Sequence, residues 1–486
     1  MLVSFIALYL LASIGIGLYA ATRVKNTADY AVAGRSLPLA VVIATTFATW
    51  FGSETVLGVP AQFVKEGMGG IVEDPFGAGM CLILVGFFFA RKLYPRNIIT
   101  IGDYYRQRFG RAVEVLCSVI IIFSYLGWVG AQVTALGLVF NLLSQGAISV
   151  VWGMFLGTAV VLIYTLYGGM WSVALTDFVQ MIVITVGLLA IAWFAADMAG
   201  GVREVVQYTA REGKFKFFPN GGFQAWAFFI ASAITMMLGS VPQQDVFQRV
   251  MSSKDEKIAT RGPIIGGTLY ILFAFVPMFV VMAALMVMPE TRGLLNDDPQ
   301  KVLPTLVLDH MPVGLQVAFF GALLSAIMST ASATLLAPST TFVENILRNL
   351  KPGMSDAQTL KAMRISVLVF TVCVLIYAIT MEGSSIYELV AGAYQVPLVG
   401  AFVPLAFGVY WKRATTQGAL LAVVMGIGVW LLFVASPMLN QAFPQQLAGL
   451  LAALAGMVFG SLAPQWLPDH KGYVHHYEGS PQASAG

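Results

Sequence analysis

Three serines stand at helical spacing in the apolar stretch "GALLSAIMSTASATL": Ser325, Ser329 and Ser332, at i, i+4 and i+7. Ala326 and Thr330 share much of the face that carries Ser329. Hydroxyls so placed admit two kinds of work. They can hydrogen-bond neighbouring helices in a bundle. With backbone carbonyls freed by a helix break, they can also offer hard oxygen ligands to a small cation such as sodium. A second set mixes aromatic, acidic and amide groups: Trp50, Glu54 and Thr55, then Trp128 and Gln132, then Gln243 and Asp245. Acids beside aromatic faces suit an organic cation, through charge pairing and cation–π attraction. The alternative is that the tryptophans pack and that Asp245 caps or bridges internally. No HExxH, no GxSxG and no paired acids beside a histidine occur in an apolar run, so an enzyme is not expected. His310 stands alone, His470, His475 and His476 lie in a polar C-terminal stretch, and Cys81, Cys117 and Cys373 sit singly in apolar runs as unpaired packing residues.

The elements that must position these residues are membrane spans. Of 486 residues, 58% are hydrophobic and 10% charged, with mean hydropathy +0.80, whereas a soluble chain is about a quarter charged. About 20 apolar residues cross a bilayer. Apolar runs at about 2–20, 39–63, 74–94, 112–142, 147–166, 171–197, 223–248, 264–288, 313–347, 363–380, 385–411, 415–436 and 445–466 predict thirteen spans. Basic residues (Arg23, Lys25) follow the first run rather than precede it, the reverse of a secretory leader, so it reads as a retained span that starts outside. On that orientation 20 of the 27 lysines and arginines fall in cytoplasmic segments and 7 outside, Arg292 among the latter, as the positive-inside rule requires. This census takes Arg249 as a cytoplasmic loop residue and leaves no base at membrane depth near Glu54 or Asp245. Residues 467–486, Lys471 included, are expected to form a short cytoplasmic tail with no room for a signalling domain. The net charge of +3 and the lack of a basic cluster exclude nucleic acid as a partner.

Two of the runs are interrupted at matched places. One reads "TTFATWFGSETVLGVPAQF", with Gly52, Gly58 and Pro60 inside it; the other reads "AITMMLGSVPQQDVFQRV", with Gly239 and Pro242. They stand five spans apart, an odd separation, so they cross in opposite directions. An inverted pair of broken helices points to a binding site at the bilayer midplane, because unwound backbone is tolerated there only where it lines a cavity.

The segments "YGGMWSVALTDFVQ" (167–180), "GSVPQQDVFQRVMSSKD" (239–255) and "ALLSAIMSTASATLLAPSTTF" (322–342) resemble the sodium:solute symporter family, as do "WFGSETVLGVPAQF" and "ADYAVAGRSLP". Within it the "FQRV" segment and the tryptophans are most similar to bacterial relatives of high-affinity choline transporters. The resemblance implies an all-α polytopic membrane protein of leucine-transporter-like fold. Its expected parts are an extra helix and loop (1–38), two inverted five-helix repeats (39–197 and 198–411), two further helices (412–466) and the tail (467–486). It places a sodium ion on the carbonyls of Ala48, Phe51 and Ala326 and the hydroxyls of Ser329 and Thr330. Asp177 matches an aspartate linked to sodium coupling and, in some members, to a second sodium. That second site would use Ser332 and Ala333, and alanine has no ligand oxygen. The implied function is sodium-coupled uptake of a small organic solute by alternating access, the solute being a cationic or zwitterionic amine (choline-like, a polyamine or an amino acid). A small organic acid is the other substrate class and a passive channel the other function class. Gln243 departs from the choline-type pattern, which has tryptophan there. Glu388 and Gln395 are further candidates for a gate. Co-transported Na+ and no organic cofactor are expected. The partners are the solute, sodium and the lipid bilayer, with no obligate protein partner. The expected location is the cytoplasmic (inner) membrane, with the N-terminus outside and the C-terminus inside.

Overall fold

The computed structural model describes residues 2–288, 293 and 298–470; Arg292, Lys471, His475, His476 and the rest of the expected tail lie outside the described residues. The described residues are helical, with no strand and one isolated bridge between Leu37 and Ser253. The elements that position the site are α1 (Leu2–Ala21), α2 (Leu39–Trp50), α3 (Val59–Glu66), α4 (Arg111–Leu143), α5 (Val150–Met198), α6 (Phe223–Gly239), α7 (Gln244–Met251), α8 (Glu256–Phe273), α9 (Val313–Phe342), α10 (Asp356–Thr380), α11 (Ile386–Pro397), α12 (Thr416–Ala435) and α13 (Gln445–Leu462).

Among the described residues ten helices are long and apolar enough to cross a membrane, and the pair α6 and α7, bent by 45°, makes an eleventh. This count does not reach the expected thirteen, because polar punctuation in the sequence does not always stop a helix. Where two spans were expected at 147–166 and 171–197, α5 runs for 49 residues. At ~1.5 Å per residue such a helix, if straight, far exceeds the ~30 Å hydrocarbon core. It breaks at Gly169 (φ 49°, ψ −139°), a conformation open to glycine at little cost. Helical turns likewise join the expected second and third runs into one stretch, Glu54–Arg96, while α2 has just 12 residues.

Both interrupted runs break. Past Trp50 the chain leaves the helix at Phe51 (φ −77°, ψ 72°) and resumes helical turns at Glu54. Gly52 lies in the break, whereas Gly58 and Pro60 lie in the resumed helix, where a proline near a helix start costs little. The second break runs from Ser240 to Gln243. The two broken helices are tied at one end. Leu37 N–H donates to the Ser252 carbonyl at 2.9 Å and Lys254 N–H to the Leu37 carbonyl at 3.0 Å.

The core is centred on α9, buried without interruption from Phe319 to Thr341. It packs against α1, α2, α4, α5, α7 and α10. α12 and α13 pair with each other at the edge. Their backbones meet closely at Gly456, where an added Cβ would lie 2.7 Å from the Leu421 carbonyl oxygen. Leu8, Phe123, Trp193, Ile376 and Leu431 are exposed on the outside of the bundle, the surface that lipid covers at no hydrophobic cost. Cys81, Cys117 and Cys373 are free, as expected, though Cys373 faces outward rather than packing.

Candidate functional site

Gly52 marks the point where the first break meets the hydroxyl face of α9. A Cβ at this position would lie 2.7 Å from Thr330 Oγ1, 2.8 Å from Glu54 Oε2 and 3.0 Å from Gln132 Oε1. Thr330 Oγ1 donates to the Ala48 carbonyl at 3.3 Å, which brings two of the expected sodium ligands together. Ser329 Oγ donates to Asp177 Oδ1 at 2.5 Å, and Thr45 Oγ1 donates to Asp177 Oδ2 at 2.5 Å. Asp177 therefore sits in the middle of α5 with partners from α2 and α9. Ser332 Oγ donates to the Ser329 carbonyl at 2.9 Å, and Ser325 Oγ to the Gly321 carbonyl at 2.6 Å. Of the serine repeat, Ser329 is the member whose hydroxyl meets a buried charge.

The second set also converges. Trp50 and Trp128 stack with ring centroids 5.1 Å apart, and Tyr394 lies 5.4 Å from the first and 5.2 Å from the second. Glu54 is buried beside them; its Oε2 accepts from Gln132 Nε2 at 2.6 Å and its Oε1 has no hydrogen-bond partner. Gln132 Oε1 in turn accepts from Ser53 N–H at 3.0 Å, which fixes the amide against the break. Thr55 Oγ1 donates to the Trp50 carbonyl at 2.8 Å, satisfying one acceptor left free where α2 ends. Gln243 Nε2 donates to Ser124 Oγ at 2.8 Å, tying the second break to α4.

Asp245 stands differently from the expectation. Its Oδ1 accepts from Tyr125 OH at 2.5 Å, and its Oδ2 lies 3.7 Å from Arg249 Nη1. Arg249 is not a loop residue. It is 1% exposed, its Nη2 lies 3.7 Å from Asp177 Oδ2, and its Nε donates to the Thr45 carbonyl at 2.7 Å. A base thus stands at depth between the second break and Asp177, which corrects the view that the two acids near the breaks lack one. The physical reason is an i,i+4 step on α7, which puts Arg249 one turn beyond Asp245 on the same face. Of the two acids, Glu54 alone has no base paired with it among the described residues.

Glu388 and Gln395, the candidates for a gate, are directed away from this centre. Glu388 is exposed near the start of α11, and Gln395 Oε1 accepts from Trp430 Nε1 at 3.1 Å and Gln445 Nε2 at 2.6 Å, toward α12 and α13. Sequence reasoning missed Arg249, Tyr125, Tyr394 and Thr45. Tyr125 lies three residues before Trp128 on α4, a spacing that could have signalled it. Nothing in the local pattern marks Thr45 or Tyr394.

Two mid-span breaks that gather carbonyls, hydroxyls, acids and aromatic rings at one buried locus define a helical secondary transporter. The chain belongs to the sodium:solute symporter family, whose model matches residues 30–426. It is a multi-pass membrane protein and a sodium-coupled solute symporter. It is 26% identical to high-affinity choline transporter 1 of Caenorhabditis elegans, over 90% of this chain and 81% of that protein. It is 27% identical to the high-affinity proline transporter of Bacillus subtilis, over 93% of this chain and 95% of that one. A solved Na+-coupled sialic acid symporter, substrate-bound and outward-open, matches with a TM-score of 0.81 at 23% identity, covering 95% of this chain and 98% of that one. The fold is the leucine-transporter-like one that the sequence led us to expect. These relatives are transporters rather than enzymes, and they are named for three different solutes.

Proposed function

We propose that this symporter couples sodium to the uptake of a cationic or zwitterionic amine, with the ammonium group held against Trp50, Trp128 and Tyr394 and paired with Glu54. One observation carries the reading: Glu54 is buried beside three aromatic rings with one carboxyl oxygen unpartnered and no base paired to it among the described residues. Opposite charges ~4 Å apart gain about 1 kcal/mol in water and about 4 kcal/mol at an effective dielectric near 20, so burial favours a cation here and repels a plain anion. Gln132 orients the carboxyl, and Thr55 and Gln243 hold the two breaks. Asp245, which shares Arg249 with Asp177, shapes the second break rather than meeting the charge.

In this reading sodium takes the carbonyls of Ala48, Phe51 and Ala326 and the hydroxyls of Ser329 and Thr330. Asp177 tunes that site through Ser329, and a second ion at Ser332 has weaker support because Ala333 offers no oxygen. The two breaks belong to inverted repeats at 39–197 and 198–411, flanked by 1–38 and 412–466. The basic-residue bias supports an inner-membrane location with the N-terminus outside and the tail inside.

The test is competition between matched amine and carboxylate solutes for sodium-dependent binding to the purified protein, with Glu54→Gln alongside. Amines should compete and lose affinity in Glu54→Gln. Tight binding of a plain carboxylate, untouched by the substitution, would favour an organic-acid symporter instead.

A further inference from the structure

Three carboxyl groups near the first break have no base paired with them. Glu54 and Asp74 are each 1% exposed and Glu73 is 8% exposed. None forms an ion pair among the described residues, whereas Asp177 and Asp245 share Arg249. Each of the three keeps one buried oxygen without a hydrogen-bond partner: Glu54 Oε1, Glu73 Oε1 and Asp74 Oδ2. Buried ionised carboxylates are costly unless paired or neutralised.

The three groups belong to one locus. The Tyr270 hydroxyl donates to Asp74 Oδ1 and stands 2.9 Å from Thr55 Oγ1, beside Glu54. Glu73 directly precedes Asp74, and a Cβ at Gly58, four residues past Glu54, would lie 3.2 Å from the Tyr387 backbone nitrogen. Tyr387 also reaches across to donate to the Gly70 carbonyl at 3.2 Å. The aromatic cluster at Trp50, Trp128 and Tyr394 is a separate observation, made on other helices, and it too calls for a cation. The buried Tyr394 hydroxyl has no hydrogen-bond partner.

We infer that Glu73 and Asp74, with Tyr270 and Tyr387, form a second ammonium subsite continuous with the Glu54 locus, and that the solute is a diamine or longer oligoamine. One ammonium sits at the aromatic cluster and pairs with Glu54. The other sits between Asp74 and Glu73, and the carbon chain passes the Thr55–Tyr270 contact. This rests on the amine reading above and narrows it. Neutral, protonated carboxyls are the competing account, and they confer no preference for a second amine.

The experiment measures binding of butylamine against putrescine, and of pentylamine against cadaverine, to the purified full chain in sodium. Each diamine should bind at least about tenfold tighter than its matched monoamine. Asp74→Asn and the nearly isosteric Glu73→Gln should erase that ratio while leaving butylamine affinity and the sodium-induced thermal shift unchanged, and Asp74→Glu should restore part of it. Equal affinity of mono- and diamines, or a diamine preference that survives both substitutions, overturns the subsite. If carboxylates bind and no amine does, the amine reading fails as well. That outcome is distinct from monoamines and diamines binding alike.

Discussion

The Ser329 hydroxyl donates to the Asp177 carboxylate at 2.5 Å, joining α9 to the middle of α5. A hydroxyl that donates in one direction keeps its lone pairs for another. Ser329 can therefore hold Asp177 and still offer oxygen to a cation near Ala48 and Thr330. The carboxylate polarises that oxygen and adds negative charge one contact away from it.

Ser329→Ala should weaken sodium activation by about tenfold or more, since it removes both the proposed ligand and the charge-assisted bond, worth ~1.5–3 kcal/mol. Thr330→Ala should weaken it less, because the Thr330 bond to the Ala48 carbonyl is long and neutral. Sodium titration of uptake, alongside the thermal melt of the purified variants, separates ion binding from folding. Wild-type sodium dependence in both variants would remove the site from α9.

Asp177→Asn keeps the shape and removes the charge. It should raise the sodium concentration for half-maximal uptake and slow net uptake more than solute exchange, which does not require release of the ion on each cycle. Paired uptake and exchange assays across a sodium titration check this.

Arg249→Met should be severely destabilising, by ~3–5 kcal/mol, because it leaves two buried carboxylates without their shared base. Adding Asp245→Asn should recover part of the loss by removing one stranded charge. The comparison is the melting temperature of the single and double variants in the same detergent. A double variant no more stable than Arg249→Met would mean that the 3.7 Å contact between Arg249 and Asp245 carries no weight.

Trp128→Leu keeps an apolar side chain and removes the ring face. It should weaken binding of tetramethylammonium roughly 2- to 30-fold, the span of ~0.5–2 kcal/mol for a cation–π contact, and leave the sodium-induced thermal shift in place. Competition binding reads the first effect and differential scanning fluorimetry the second.

Gly52→Ala should abolish transport in a protein that still reaches the membrane, since its Cβ would press on Thr330, Glu54 and Gln132 at once. Gly428→Ala on α12 is the control, because nothing lies within 4 Å of a Cβ there. Uptake assays on the two variants at matched expression give the contrast.

Composition and periodicity alone made this chain a polytopic helical membrane protein, because lipid leaves few ways to satisfy the backbone and each shows as a long apolar run. The breaks near Gly52 and Gly239 were legible for the same reason: glycine, proline and polar residues at that depth need a cavity to face. The serine repeat was legible by its spacing, and the two tryptophans by residue type. The number of separate helices was not, because whether Gly169 ends a helix depends on packing rather than on local type. Tertiary structure also decided the charge balance. Arg249 follows a membrane segment and reads as a cytoplasmic loop base, yet the bend between α6 and α7 carries it inward to Asp177 and Asp245. Thr45 and Tyr394 carry no signal in sequence, since a threonine or tyrosine in an apolar run is ordinary until a partner from another helix stands opposite. Local pattern records what a segment needs from its solvent; which groups then meet is set by the packing of helices far apart in the chain.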